Sequence, residues 1–200
     1  MRDSAPRGRS PGGRPRDPGL DAAILAAAEA RLREHGYAGM SIEAVAAAAG
    51  TSVASVRRRY HDRPALAAAV IDAWRAVPLP APSGPPRSRA LAVLENFRRN
   101  LVLGDSMPLL GTLLAEESRH PELMERFRTR LVKPRRAMLA QAIREGVAAG
   151  ELARSTEVDA VVNMLIGSFY ARHVAQGVIP RDWAGRVLGQ LWPPGPAEHR

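Results

Sequence analysis

No cysteine occurs in the 200 residues, which excludes a disulfide framework and a thiolate metal site and fits a reducing compartment. No apolar run approaches the roughly 20 residues that cross a bilayer, and the N-terminus lacks the apolar segment of a secretory signal. A cytoplasmic protein with no membrane partner is therefore expected. Strand-type alternation of apolar and polar residues is absent, so the regular structure should be helical. The five histidines are scattered without ligand-like spacing or an accompanying carboxylate cluster, and neither a metal nor another cofactor is expected. A Gly-rich phosphate loop, a nucleophile elbow and a catalytic acid–base pair are missing as well, which argues against an enzyme.

What is present is a core and an excess of positive charge. Hydrophobic residues make up 46% of the chain, ordinary for a globular protein. The formal charge of +9 and a sequence pI near 11.2 favour an anionic partner, nucleic acid or an anionic surface. Residues 1–18 are rich in Arg, Pro and Gly without apolar periodicity, and read as a disordered basic tail that either reaches toward a nucleic-acid backbone or is simply solvated. Residues 193–200 read as a second disordered tail.

Residues 41–60, SIEAVAAAAGTSVASVRRRY, read as two short helices joined by a tight turn. Ser41 is placed to cap the first, with Ile42, Val45 and Ala46 on one face. Gly50 suits the left-handed conformation that follows a helix end. Ser52 caps the second, whose Val53, Val56 and Tyr60 recur at helical spacing while Ser55, Arg57, Arg58 and Arg59 project elsewhere. A helix over 21–35 precedes the pair, with Ile24, Ala27, Ala28 and Leu32 on its buried stripe and Gly36 as its stop. A fourth follows to about Trp74, with Asp62 as N-cap and Arg63 and Pro64 in the first turn, where proline loses no hydrogen bond.

Over roughly residues 20–74 this pattern resembles the N-terminal domain of the tetracycline-repressor-like (TetR) family of bacterial transcription regulators. The resemblance is carried by Ile24, Leu25, Ala27 and Ala28, by Gly36 and Tyr37, by Ser41, Ile42, Val45 and Ala46, by Gly50 and Ser52, and by Tyr60 and Leu66. It implies a three-helix head, residues 19–76, whose helix-turn-helix reads double-stranded DNA. The DNA contacts it implies are Ser41, Thr51, Ser52, Val53, Ser55, Arg57, Arg58, Arg59, Tyr60 and Arg63, with Arg57 and Arg58 ahead of Arg59. Thr51, Ser52 and Ser55 either reach phosphate or only cap and turn. The chain departs from the family pattern at Val53, where a lysine or similar polar residue is usual, at Arg57, where an aromatic is usual, and at Arg31, where an apolar residue is common. Arg63 keeps the charge of the lysine usual at the start of the fourth helix.

A proline-rich linker, residues 77–86, breaks the helical pattern. Beyond it, residues 87–192 read as a larger helical domain: helices over 87–103 and 107–118, a long helix over 121–149 that Pro134 should kink or divide, a helix through 175 opened by a capping box at Thr156–Asp159, and a last one over 181–191. The whole is all-α. The fourth of these segments is apolar on more than one side and needs partners on two sides. By resemblance the two C-terminal helices pair with those of a second subunit, giving a homodimer that reads a palindromic operator, and the domain's interior takes a small hydrophobic or amphipathic effector. Candidate pocket residues are Asn96, Phe97, Met107, Leu110, Leu114, Met138, Met164, Phe169, Tyr170 and His173. The function so implied is a dimeric transcription regulator, most often a repressor in this family. The alternative is a helical ligand-binding or interaction module whose head no longer reads a specific operator.

Overall fold

A computed structural model describes residues 18–74, 78–81, 83–102 and 106–193. The two expected tails lie almost wholly outside these residues, as do 77 and 82 of the proline-rich linker. Among the described residues every regular element is a helix: α1 (Pro18–Gly39), α2 (Ile42–Ala48), α3 (Val53–Arg59), α4 (Arg63–Ala73), α5 (Pro86–Val102), α6 (Met107–Glu116), α7 (Pro121–Phe127), a π turn (Arg128–Val132), α8 (Lys133–Ala148), α9 (Val158–Gln176) and α10 (Trp183–Leu191).

Local chemistry sets the boundaries in the head. Gly36 interrupts α1 with φ 66° and ψ −173°, a left-handed conformation that a side chain would strain; Arg31 spans the break, its Nε donating to the Gly39 carbonyl at 3.3 Å. The Ser41 hydroxyl accepts from Ala44 N at 3.1 Å, the Ser52 hydroxyl from Ser55 N at 3.2 Å and the Asp62 carboxylate from Ala65 N at 2.7 Å. Each side chain satisfies an amide that the helix start leaves unpaired.

Of two helix boundaries farther along the chain, the first is as expected from Pro134 and the second is not. The long helix over 121–149 is divided: the π turn ends at Val132, and Lys133 N–H bonds back to the Arg128 carbonyl, five residues earlier. Pro134 has no N–H to donate and its ring crowds the preceding turn, and a widened turn accommodates both. The cap of α9 is Glu157 instead of Thr156, its carboxylate accepting from Ala160 N at 2.6 Å and Asp159 N at 3.4 Å.

The apolar residues gather into two clusters. One joins Ile24, Ala28 and Leu32 of α1, Val45 and Val56 of α2 and α3, and Leu66, Val70 and Ile71 of α4 to Leu109 and Leu113 of α6 and Leu123, Met124 and Phe127 of α7. The other packs α5, α8, α9 and α10 around Leu94, Leu139, Ile143, Phe169, Trp183 and Leu188. Tyr170 touches both. The core therefore does not divide where the proline-rich linker divides the chain: α6 and α7 complete the core of the head.

Trp192 is buried against the backbone of Gly146 on α8, so closely that a Cβ there would lie far inside van der Waals contact of the indole carbon Cη2. Gly146→Ala must displace that ring from its seat, and overpacking of this kind costs about 1–3 kcal/mol. Denaturant unfolding is expected to show the loss; an unchanged midpoint would mean that Trp192 contributes nothing where it sits.

Candidate functional site

The exposed surface of α3 is small at its start and basic at its end. Ala54, Arg57 and Arg58 are all exposed, and at spacings of three and four they share one face of the helix. Ser55 and Val56 are buried beneath them, and Val53 packs on the core from its half-buried position. All three arginines occupy the last turn of α3, where positive charge is favourable beside the unpaired carbonyls of a helix end.

They nevertheless have different surroundings. Arg59 is folded back: its Nε donates to the Asp21 carboxylate of α1, and its Nη1 donates to Ser55 O and Oγ, both at 3.2 Å. Only 14% of its side chain is exposed, so it latches α3 to α1 and does not project outward. Arg58 reaches the Ser55 hydroxyl at 3.3 Å. Arg57 donates to Glu43 of α2 at 3.1 Å with both side chains about 60% exposed, an ion pair that solvent leaves worth at most about 1 kcal/mol and that a phosphate or guanine edge can replace.

The remaining expected contacts scatter by role. Ser41 and Ser52 cap helices, Thr51 is half-buried in the turn and Tyr60 forms the C-terminal cap of α3 while packing on the core. Ser55 is buried and accepts from Arg58 and Arg59, which withdraws it from the outer surface. The guanidinium of Arg63 lies 4.2 Å from the ring centroid of Tyr37, a cation–π contact that holds the start of α4 against the end of α1. Two residues at this surface escaped the sequence reading, Ala54 and Glu43. A helical wheel drawn through Arg57 and Arg58 passes through Ala54; nothing in the linear sequence pairs Glu43 with Arg57.

Behind the head a cavity of about 250 Å³ opens between the two clusters. Trp74, Phe97, Phe127 and Tyr170 give it aromatic walls; Leu101, Leu131, Val132 and Ile166 add aliphatic ones; Asn100, Ser106, Arg135 and Arg136 are its polar lining. Of the expected pocket residues only Phe97 and Tyr170 line it. Leu114 of α6 and Met164 of α9 are instead exposed, and Asn163 beside Met164 is exposed too, because the faces that carry them turn away from the core. Leu110 and Phe169 are buried core residues, and Met107 and Met138 pack on the α5–α8–α9–α10 cluster. His173 stacks on Phe169 at 6.5 Å between ring centroids. Asn96 is buried just behind the lining, donating to the Pro78 carbonyl at 2.6 Å and accepting from Arg135 Nε at 3.1 Å. Burial pushes the Tyr170 hydroxyl up to about 12, so it stays protonated as a donor.

The cavity reaches the head through Trp74, which ends α4 and lies 5.9 Å from Phe127 between ring centroids. Two residues earlier, Asp72 accepts a two-pronged ion pair from Arg126 of α7, at 2.7 and 2.5 Å. Those hydrogen bonds hold the Asp72 carboxyl below the usual carboxylate range. Thus α4 and α7 are pinned by both an aromatic and an ionic contact.

Outside the core, Met164, Val174 and Val178 are 67%, 85% and 69% exposed; Met164 and Val174 share a face of α9 with Ala160, Gly167 and Ala171, and Val178 lies just past the helix end. A Cβ added at Gly167 of α9 or at Gly185 and Gly189 of α10 would meet nothing. One exposed face of α9 is thus small or apolar, and α10 has open space beside Gly185 and Gly189. Among the described residues no group of three or more His, Asp or Glu could hold a metal ion, and no helix is long and apolar enough to cross a membrane.

Comparison with known proteins agrees with this layout. Residues 24–70 match the family model for bacterial regulatory proteins of the tetR family, and residues 80–191 match that for the tetracyclin repressor-like C-terminal domain. An uncharacterized HTH-type transcriptional regulator of Mycobacterium tuberculosis is 30% identical over 166 residues, covering 80% of this chain and 81% of its own. Among solved structures, MexZ, a repressor of Pseudomonas aeruginosa, superposes with a TM-score of 0.67 at 21% identity over 86% of this chain and 90% of that one. The flavonoid-responsive regulator FrrA does so with a TM-score of 0.63 at 20% identity, over 85% and 91%.

The unequal burial of the arginines separates their roles. Arg59→Ala should destabilise the fold by about 1–3 kcal/mol, since it removes charge-assisted hydrogen bonds from a largely buried site. Arg57→Ala and Arg58→Ala should stay within about 0.5 kcal/mol of the native chain. Thermal unfolding of the three variants checks this, and equal losses would mean that Arg59 is no latch.

Proposed function

The chain belongs to the TetR family of bacterial transcription regulators, and from that premise we propose that it acts as a homodimer on a palindromic operator, as a repressor released when a small hydrophobic or amphipathic effector enters the cavity. The observation that carries the reading is the exposed face of Ala54, Arg57 and Arg58 on α3. Arginine pairs with guanine O6 and N7 or with phosphate, and a methyl group at Ala54 suits close approach to a thymine methyl. A helix of this length reads few base pairs, so selectivity requires two of them. A two-fold axis through the open faces of α9 and α10 supplies the second head, with half-sites about 34 to 36 Å apart or a multiple of that. The exposed Met164, Val174 and Val178, with small residues between them, are the support for placing a second copy there.

Release follows from the shared core. An effector shifts the operator equilibrium only by its differential affinity for the released and bound arrangements. A molecule in this cavity touches Trp74, Phe127, Leu131 and Val132, and so bears on the contact between α7 and the end of α4. FrrA is by its name responsive to flavonoids, which supports an effector role for the corresponding domain here without identifying the molecule.

Arg57→Ala is expected to lower affinity for the operator by about tenfold or more, the worth of one base or phosphate contact, with unfolding unaltered. Footprinting over the inverted repeat checks it, and an unchanged footprint would remove Arg57 from the interface. Raising salt should weaken bulk DNA binding while the operator stays preferred; parallel loss of both would favour a head that no longer reads sequence. Met164→Glu combined with Val174→Glu should shift sedimentation toward monomer and weaken binding to a full palindrome more than to a half-site, whereas an intact dimer would place the subunit contact elsewhere.

A further inference from the structure

The cavity's polar lining is cationic and its polar groups are contiguous. Among the described residues, Arg135 and Arg136 line it and no acidic side chain does. Arg136 stands 3.9 Å from an Asp159 that is itself 83% exposed, a loose surface pairing. Arg135 is buried, and its guanidinium is oriented by donating to Asn96 Oδ1 at 3.1 Å and to the Leu131 carbonyl at 2.8 Å. Asn100 donates to Asn96 O at 2.7 Å and Ser106 donates to Asn100 O at 2.8 Å, which ties Asn100, Ser106 and Arg135 into one patch. Every other described lining residue is aromatic or aliphatic.

The volume bounds the occupant. An apolar cavity of about 150 Å³ takes a benzene-sized ring, so about 250 Å³ takes roughly ten non-hydrogen atoms. The geometry points to an amphipathic anion as the effector, a monocarboxylate with an apolar body of that size, its carboxylate held by Arg135 and its body lying among Phe97, Trp74, Leu131 and Tyr170. This rests on the reading of the cavity as the effector site.

The electrostatics agree with the geometry. Burial lowers the pKa of Arg135, which means that its charge is carried at a cost in this environment. An entering carboxylate recovers that cost through a charge-assisted hydrogen bond, whereas a neutral ligand of the same shape seals the guanidinium further from water without compensating it. Selectivity for the anion over its neutral isostere is the consequence.

Calorimetric titration of the full chain with octanoate and 3-phenylpropanoate, each against its primary amide, tests this. At least one acid should bind about tenfold more tightly than its amide, and Arg135→Met should bring that ratio to about one while leaving amide binding in place, which shows that the variant keeps its cavity. Should Arg135→Met fail to fold, the acid-to-amide ratio of the native chain decides alone. Equal binding of acid and amide, a preference that survives Arg135→Met, or binding of none of the four would overturn the proposal. Operator release in the same samples separates it from the reading beneath it: an acid bound selectively while the operator complex stays indifferent leaves the anion site standing and removes release, and release by acids and amides alike does the reverse.

Discussion

The DNA-reading head depends on a core that it does not own. Its α1 and α4 bury Leu32, Leu66, Val70 and Ile71 together with Leu109 and Leu113 of α6 and Leu123 and Phe127 of α7. Close packing transmits displacement, because interiors have little free volume in which to absorb it. A shift of α7 cannot be confined to the C-terminal helices. The Asp72–Arg126 ion pair and the Trp74–Phe127 contact fix the same junction by two kinds of force, one electrostatic and one apolar.

The π turn sits at the point where this junction meets the cavity. Its Leu131 and Val132 line the cavity, and it follows directly on Phe127. A proline at the second position of α8 relieves the chain of one backbone hydrogen bond there, and the widened turn has poorer hydrogen-bond geometry than the helices on either side. This widened turn is therefore also a piece of backbone that a molecule in the cavity would touch.

Charge is used economically at the opposite end. One cluster of three arginines supplies a latch in Arg59 and an outward face in Arg57 and Arg58, and a helix end favours all three. Arg59 is consumed by Asp21 and Ser55, so the basic surface presented outward is narrower than the sequence run RRR suggests. Glu43 occupies Arg57 in the free chain, and that exposed pair costs little to exchange.

The all-α class, the order of the helices, the caps at Ser41, Ser52 and Asp62 and the exposed positions Arg57 and Arg58 were legible in the sequence, because each depends on residues within a turn or two of one another: capping needs a side chain three residues from an amide, and a helical face repeats every three or four. Thr156 misled for the same local reason, since two neighbouring oxygens competed for one helix start and Glu157 reached it. The rest required the tertiary structure. Whether Arg59 points outward depends on Asp21, 38 residues away; whether Met164 faces a cavity or solvent depends on which side of α9 the other helices cover; and the cavity itself is bounded by residues from α4 through α9 that no periodicity brings together. Side-chain spacing along one helix fixes which residues share a face, but only the packing of several helices decides what that face meets.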